Sequence, residues 1–158
     1  MKKRISSIVL VLVIIFATFS FAACSENGST TTTTTKVKAQ TITIVIGALS
    51  PTIYEVEPDR LEIKEGLISV LEYLNQKHGL KYTAEDSGYG SYLTKVGDLS
   101  QRDNNYIYIY TTVEKDFDVS QYAKTIRFGG KTLTSAGVGA SELTIEAGCT
   151  IYIGTIAF

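Results

Sequence analysis

Ser69-Val70-Leu71-Glu72-Tyr73-Leu74-Asn75-Gln76-Lys77-His78-Gly79 is the stretch on which the fold turns, because it alone past residue 40 reads as a helix. Ser69 followed by Glu72 fits a capping box: the Ser69 hydroxyl accepts from the Glu72 amide while the Glu72 carboxylate reaches back to the Ser69 amide. The helix is therefore expected to start at Val70. Val70, Leu71, Tyr73 and Leu74 form an apolar stripe, Asn75 to Lys77 are polar, and Gly79 supplies the left-handed residue that ends the helix. A helix of roughly two to three turns is unstable in isolation. It survives only if the flanking strands bury their apolar faces against it.

Those strands are legible on both sides. Upstream, Thr41 to Ile46 alternates Thr41, Thr43 and Val45 with Ile42, Ile44 and Ile46, a β-branched run with one face deeply buried. Gly47 to Pro58 is an irregular connection in which Pro51 and Pro58 exclude a central strand, although Ile53 to Val56 can pair at an edge. Arg60 to Lys64 places Leu61 and Ile63 on one face and is expected to return antiparallel to the first strand. Downstream, Leu80 to Ala84 is a short strand, Asp86 to Gly90 turns, and Tyr92 to Val96 extends again as far as Gly97-Asp98. Tyr106-Ile107-Tyr108-Ile109-Tyr110 alternates strictly, which sets the tyrosines on one face and Ile107 and Ile109 in the core. Lys124 to Phe128 and Lys131 to Leu133 flank Gly129-Gly130, a two-residue hairpin turn in which both positions tolerate positive φ. Leu143 to Ile145 then leads through Glu146-Ala147-Gly148 to a closing strand, Cys149 to Ile153.

Composition narrows the class. The 158 residues include 13 Gly and 2 Pro, and leave room for one domain beside any targeting and linker segments. Ten Tyr, six Phe and no Trp, with β-branched residues crowding the second half, favour strands. The net charge is −1; without residues 1–23, which hold Lys2, Lys3 and Arg4 and no acid, 12 bases face 16 acids, a balance of −4. A phosphate-backbone footprint needs clustered Lys and Arg, so nucleic acid is not an expected partner.

The N-terminus reads as an address. Lys2-Lys3-Arg4 precedes an apolar run from Ile8 to Ala17 and then Thr18-Phe19-Ser20-Phe21-Ala22-Ala23-Cys24, a secretory signal layout. The residues before Cys24 resemble the lipobox of bacterial lipoproteins, in which the cysteine thiol receives diacylglycerol; Phe21 stands where that motif usually has an aliphatic residue. Three readings are open: a lipidated Cys24, an uncleaved membrane helix from Ile5 to Ala23, or a signal cleaved near Ala23. All three export the domain, and Ser6, Ser7 and Ser20 interrupt the span of about 20 apolar residues that a membrane helix needs. The first places the protein on the cell membrane, lipid-anchored and facing outside, since paired acyl chains anchor durably. Residues 1–23 are then a signal peptide and 24–40 a lipidated cysteine with a disordered linker that includes the run Thr30 to Thr35. Such threonine runs resemble those of Gram-positive surface lipoproteins.

Residues 41–158 in turn resemble the transcobalamin-like C-terminal domain, a small extracellular module. The matching residues are Ile63-Lys64-Glu65-Gly66, Ser69 to Leu74, Gly88-Tyr89-Gly90-Ser91-Tyr92-Leu93, Tyr106 to Tyr110, and Leu143-Thr144-Ile145-Glu146-Ala147-Gly148. The resemblance implies an α+β, β-grasp-like fold: a mixed sheet packed on one short helix. Family members often carry tryptophan in the aromatic strand followed by Asn-Gly, where this chain has tyrosines and Thr111-Thr112, and Glu114 to Ser141 is longer than the common form. In the animal vitamin carriers that name the family, the domain covers one face of a cobalamin held against a larger helical domain, which this chain lacks. A corrinoid therefore enters only by family analogy, as a possible ligand.

Tyr89, Tyr92, Tyr106, Tyr108 and Tyr110 are the candidate binding residues, because tyrosine gives rigid contact area with a polar tip; a half-exposed sheet face would hold tyrosines for their β-propensity alone. Gly88 and Gly90 serve backbone geometry, since no helix N-terminus follows to cradle a phosphate. His78, the single histidine, has no Cys-x-x-Cys to complete a metal site and sits where an imidazolium favours a helix C-terminus. Cys149 resembles a small buried residue. Glu114, Asp116 and Asp118 lack the glycine and distal glutamate of a calcium loop and read as a solvated acidic loop. No serine has the surroundings of a nucleophile, so no catalytic residue, metal or cofactor is expected. Two functions fit: a non-catalytic ligand-binding lipoprotein, or a cell-surface module that offers the same tyrosine face, or a sheet edge, to another protein.

Overall fold

A computed structural model describes residues 40–47, 49–102 and 104–157, all within one compact unit. The expected signal peptide, Cys24 and the threonine run lie outside the described residues. The fold is α+β. Its larger sheet has the order β2-β1-β9-β6-β8-β7, from β1 (Ile42–Ile46), β2 (Thr52–Val56), β6 (Asn105–Thr111), β7 (Thr125–Phe128), β8 (Lys131–Ser135) and β9 (Thr150–Ala157). A smaller sheet, β3-β4-β5, comprises β3 (Tyr82–Ser87), β4 (Gly90–Val96) and β5 (Leu99–Ser100). The sheet is mixed because β1 and β9 run parallel, while its other pairs are antiparallel.

The single α-helix among the described residues, α1 (Gly66–His78), packs where the apolar stripe predicts. Leu67, Val70, Leu71 and Leu74 are fully buried against Ile42, Ile44, Ile151 and Ile153 of the large sheet and Leu93 and Val96 of the small one. Each such side chain contributes about 2 kcal/mol. The helix ends at Gly79, whose amide donates to the Asn75 carbonyl at 2.9 Å. Its start differs from expectation. α1 begins at Gly66, a turn before Val70, and Ser69 lies inside it. There the Ser69 hydroxyl accepts from the amides of Glu65 (2.9 Å) and Lys64 (3.0 Å), so it caps donors upstream rather than the amide of Glu72. Glu72 accepts from Gln76 and from the Tyr82 hydroxyl.

The strand expected over Arg60 to Lys64 is absent. Thr52–Val56 takes its place as the antiparallel partner of β1, an edge strand that Pro51 precedes and Pro58 follows without interrupting. Pro58–Arg60 instead forms a single 3-10 turn, since proline suits its first position. Gly129 and Gly130, at φ +56° and +78°, make the β7–β8 turn as the dipeptide predicts. β3 and β9 both run further toward the C-terminus than expected. Ile107 and Ile109 pack against the core as expected, half-buried, and Tyr110 on the opposite face is buried too, because that face of β6 is covered there as well. There the β7–β8 hairpin folds over the sheet, Lys131 Nζ donating to Thr150 Oγ1 (3.0 Å) and the Gly148 carbonyl (3.1 Å) on the far side of β6.

Cys149 is buried, 3% exposed, and burial pushes its thiol up. The acidic loop is not uniformly solvated. Asp116 is buried, and its carboxylate accepts from the Thr144 amide (2.6 Å) and hydroxyl (3.1 Å).

Candidate functional site

The Gly88–Leu93 stretch turns the chain between β3 and β4, and it also docks on a distant segment. The Gly139 amide donates to the Tyr89 carbonyl (3.1 Å), the Ala140 amide to the Ser91 carbonyl (2.6 Å), and the Ser91 amide to Ser141 Oγ (2.9 Å). Two backbones meet here without side chains between them: a Cβ on Gly139 would stand 2.7 Å from Gly90 C and from the Tyr89 carbonyl oxygen. The loop is thereby fixed from behind. It presents Tyr92 from the start of β4 toward the first half of β6.

There Tyr92 and Leu93 of β4, Gln101 after β5, and Tyr106, Ile107 and Tyr108 of β6 line a concave groove of ≈ 430 Å³. The volume lies within the usual range for small-ligand sites, about 300–1,000 Å³. Its lining is mostly apolar, with phenol hydroxyls and the Gln101 amide for orientation. Tyr92 and Tyr106 are each 42% exposed. The Tyr92 hydroxyl donates to Glu85 at 2.5 Å, and this hydrogen bond, with some desolvation, holds its pKa above the ordinary phenol value.

Of the five tyrosines singled out from sequence, the structure gathers Tyr92, Tyr106 and Tyr108 into this groove and leaves two outside. Tyr89 is at the tip of the turn, 89% exposed. Tyr110 shares a face with Tyr106 and Tyr108 but is 5% exposed, its ring 6.2 Å from those of Tyr108 and Tyr152; burial raises its pKa. Ile107 and Gln101 were not expected in the lining, whereas Leu93 closes the Gly88–Leu93 stretch that was. Leu93 and Ile107 neighbour named tyrosines in sequence, but Gln101 sits in a loop with no motif to mark it. Among the described residues no cluster of three or more His, Cys, Asp or Glu side chains is placed to hold a metal. His78 is exposed at the end of α1, its ring 5.4 Å from Tyr54.

The architecture defines a class first: an α+β domain of the transcobalamin-like fold, with an aromatic groove where its two sheets meet. Several solved structures share that fold, two of them as follows. One is a candidate metal-binding protein from Ruminococcus gnavus ATCC 29149, at TM-score 0.51 and 16% identity over 75% of this chain and 98% of its own. The other is haptocorrin in complex with Cbi, at TM-score 0.51 and 14% identity over 75% of this chain. The match spans 25% of the haptocorrin chain. No family profile and no curated protein matches the sequence.

Proposed function

We propose that this chain is a membrane-anchored, extracellular binding lipoprotein without catalytic activity, held by a lipid on Cys24, whose Tyr92–Tyr106–Tyr108 groove takes one edge of a small corrinoid-like ligand. The observation that carries this reading is the groove itself: concave, of ≈ 430 Å³, and walled by three of the tyrosines that the sequence singles out. Haptocorrin, crystallised with Cbi, supports the ligand class by likeness of fold. The groove is smaller than a whole corrinoid, so the domain grips an edge and leaves the rest of the ligand uncovered.

Titration of residues 40–158 with cobinamide, followed in the corrinoid absorption bands, is expected to saturate in the micromolar range. Tyr92→Ala should weaken it by about tenfold, the scale of one lost aromatic contact. Absence of a spectral change at high micromolar corrinoid removes the vitamin reading. The remaining function is then a protein-contact module, which the outward position of Tyr89 favours. The anchor has its own test. Cys24→Ala is expected to release the protein from the membrane fraction, and retention of the unlipidated variant overturns the lipid attachment.

A further inference from the structure

The large sheet ends in two open edges, β2 on one side and β7 on the other. The phase of β2 follows from β1. The Thr43 amide donates to the Cys149 carbonyl (2.9 Å) and the Gly47 amide to the Ile153 carbonyl (3.1 Å), so Thr43 and Val45 face β9 while Ile42, Ile44 and Ile46 face β2. Their partners Val56, Tyr54 and Thr52 face back, which leaves the amides and carbonyls of Ile53 and Glu55 pointing outward. On β7 the Ser135 amide donates to the Lys124 carbonyl (2.8 Å), so Ile126 and Phe128 face β8, and the backbone groups of Thr125 and Arg127 point outward. None of these four residues makes a backbone hydrogen bond outside the sheet to another described residue. Both edges are accessible: Thr52, Ile53 and Glu55 are exposed on β2, Thr125 and Arg127 on β7, and so are residues 119–124 leading into β7. Open edges are ordinarily blunted by charge, and here the charges are of opposite sign. Residues 119–131 hold Lys124, Arg127 and Lys131 and no acid, whereas residues 55–62 hold Glu55, Glu57, Asp59 and Glu62 against Arg60, which Glu57 pairs at 2.6 Å. Neither Glu55 nor Arg127 forms an ion pair with another described residue.

We infer that β2 of one copy of this chain adds to β7 of a second copy, continuing the large sheet from domain to domain. In an antiparallel pair, residues whose backbone groups point at each other lie directly opposite, with their side chains on one face. Setting Glu55 opposite Arg127 therefore joins acid to base on one face and brings Tyr54 opposite Phe128, an aromatic pair, on the other. Cross-strand pairs of both kinds stabilise, and like charges set opposite destabilise. β2 against β2 would crowd Glu55 and Glu57 of both copies, and β7 against β7 would do the same for Lys124 and Arg127. The charge that guards each edge against its own kind thus selects the other edge. The contact is heterologous: two paired copies still present one free β2 and one free β7, so association runs on past a dimer. The groove at Tyr92 takes no part in it.

Sedimentation equilibrium of residues 40–158, which contain the whole core described above, tests the pairing. The weight-average mass should rise with concentration between about 10 μM and about 1 mM, the range of a small transient contact, and pass the dimer value without a plateau. It should fall back at about 0.5 M salt, where exposed charges are screened. Glu55→Lys and Arg127→Glu should each weaken association about tenfold, as an attractive cross-strand pair becomes a repulsive one. Thermal midpoints should stay unchanged, because both positions are exposed. Equal parts of the two variants should associate as tightly as the unmodified chain: altered edge then meets altered edge and unaltered meets unaltered, each time with opposite charges. The inference is overturned if the chain stays monomeric to about 1 mM, a weak limit even for an edge contact, or if the mass levels off at two copies. It is overturned equally if either charge reversal leaves association unchanged, or if mixing the two variants does not restore it.

Discussion

Gly66→Ala is expected to remove about 3–5 kcal/mol of stability, a large share of the roughly 5–15 kcal/mol that holds a domain of this size together. Gly66 opens α1 at φ +44°, in the left-handed region where an L side chain costs about 1–2 kcal/mol. The space around it is as restrictive. A Cβ would stand 2.6 Å from the Leu143 carbonyl oxygen, 2.7 Å from that of Ser141 and 2.8 Å from that of Ala140. These are backbone atoms and cannot rotate away, so the helix start must lift off the 140–143 segment, with a compression cost of about 1–3 kcal/mol. Lifting also threatens the 2.8 Å bond from the Leu67 amide to the Ala140 carbonyl. Chemical denaturation should show a lower midpoint at unchanged slope. Gly129→Ala separates the two causes: its φ is +56°, but nothing lies within 4 Å of its Cβ position, so it carries the conformational cost alone. A Gly66→Ala loss no larger than that of Gly129→Ala would show that the carbonyl cradle has no energetic weight.

The same position shows where sequence reasoning stops. The apolar stripe Val70, Leu71 and Leu74 and the Gly79 stop are periodic signals within one element, and they placed the helix and its buried face correctly. The alternation in Ile42–Ile46 and the Gly129-Gly130 turn were legible for the same reason. The helix start was not, because it is fixed by carbonyls of residues 140–143, some 75 positions away, an order of separation that no local pattern carries. Ser69 looked like an N-cap because its hydroxyl does cap backbone amides. It caps those before it, and spacing to Glu72 cannot tell the two directions apart.

The tyrosine strand divides in the same way. Period-2 alternation put Tyr106, Tyr108 and Tyr110 on one face, and the register with Ile156, Gly154 and Tyr152 of β9 agrees. How the row splits between an open groove and a covered stretch depends on where the β7–β8 hairpin folds over, and on Tyr92 arriving from the second sheet. Both are contacts between elements distant in sequence. Tyr89 adjoins the conspicuous glycines yet points away, since the carbonyls of its turn are taken by Gly139 and Ala140.

Asp116→Ala is expected to cost about 2–4 kcal/mol, the second large effect, at a residue that from sequence looks like one of three solvated acids. Asp116 is 6% exposed and receives both the amide and the hydroxyl of Thr144. Hydrogen bonds to a charged group contribute about 1.5–3 kcal/mol, and a donor left without a partner adds about 1–3 kcal/mol, the two overlapping in one deletion. Neighbouring bonds spread the damage: the Asp116 carbonyl accepts from the Gly137 amide (2.9 Å), and the 136–144 segment so pinned carries Ala140 and Leu143 into the core and backs the Tyr89–Ser91 turn. Native-state hydrogen exchange should therefore accelerate at Thr144, Gly137, Gly139 and Ala140 together, while the α1 amides respond less. Asp116→Asn keeps an acceptor for the Thr144 amide and turns its NH₂ toward a hydroxyl that can accept, so its loss should be about 1 kcal/mol. Combining Asp116→Ala with Thr144→Val should cost less than the sum of the single changes, with a coupling of about 1–2 kcal/mol for residues in direct contact. Additive losses, or exchange rates unchanged outside residue 144, would mean that this carboxylate does not clamp the segment behind the groove.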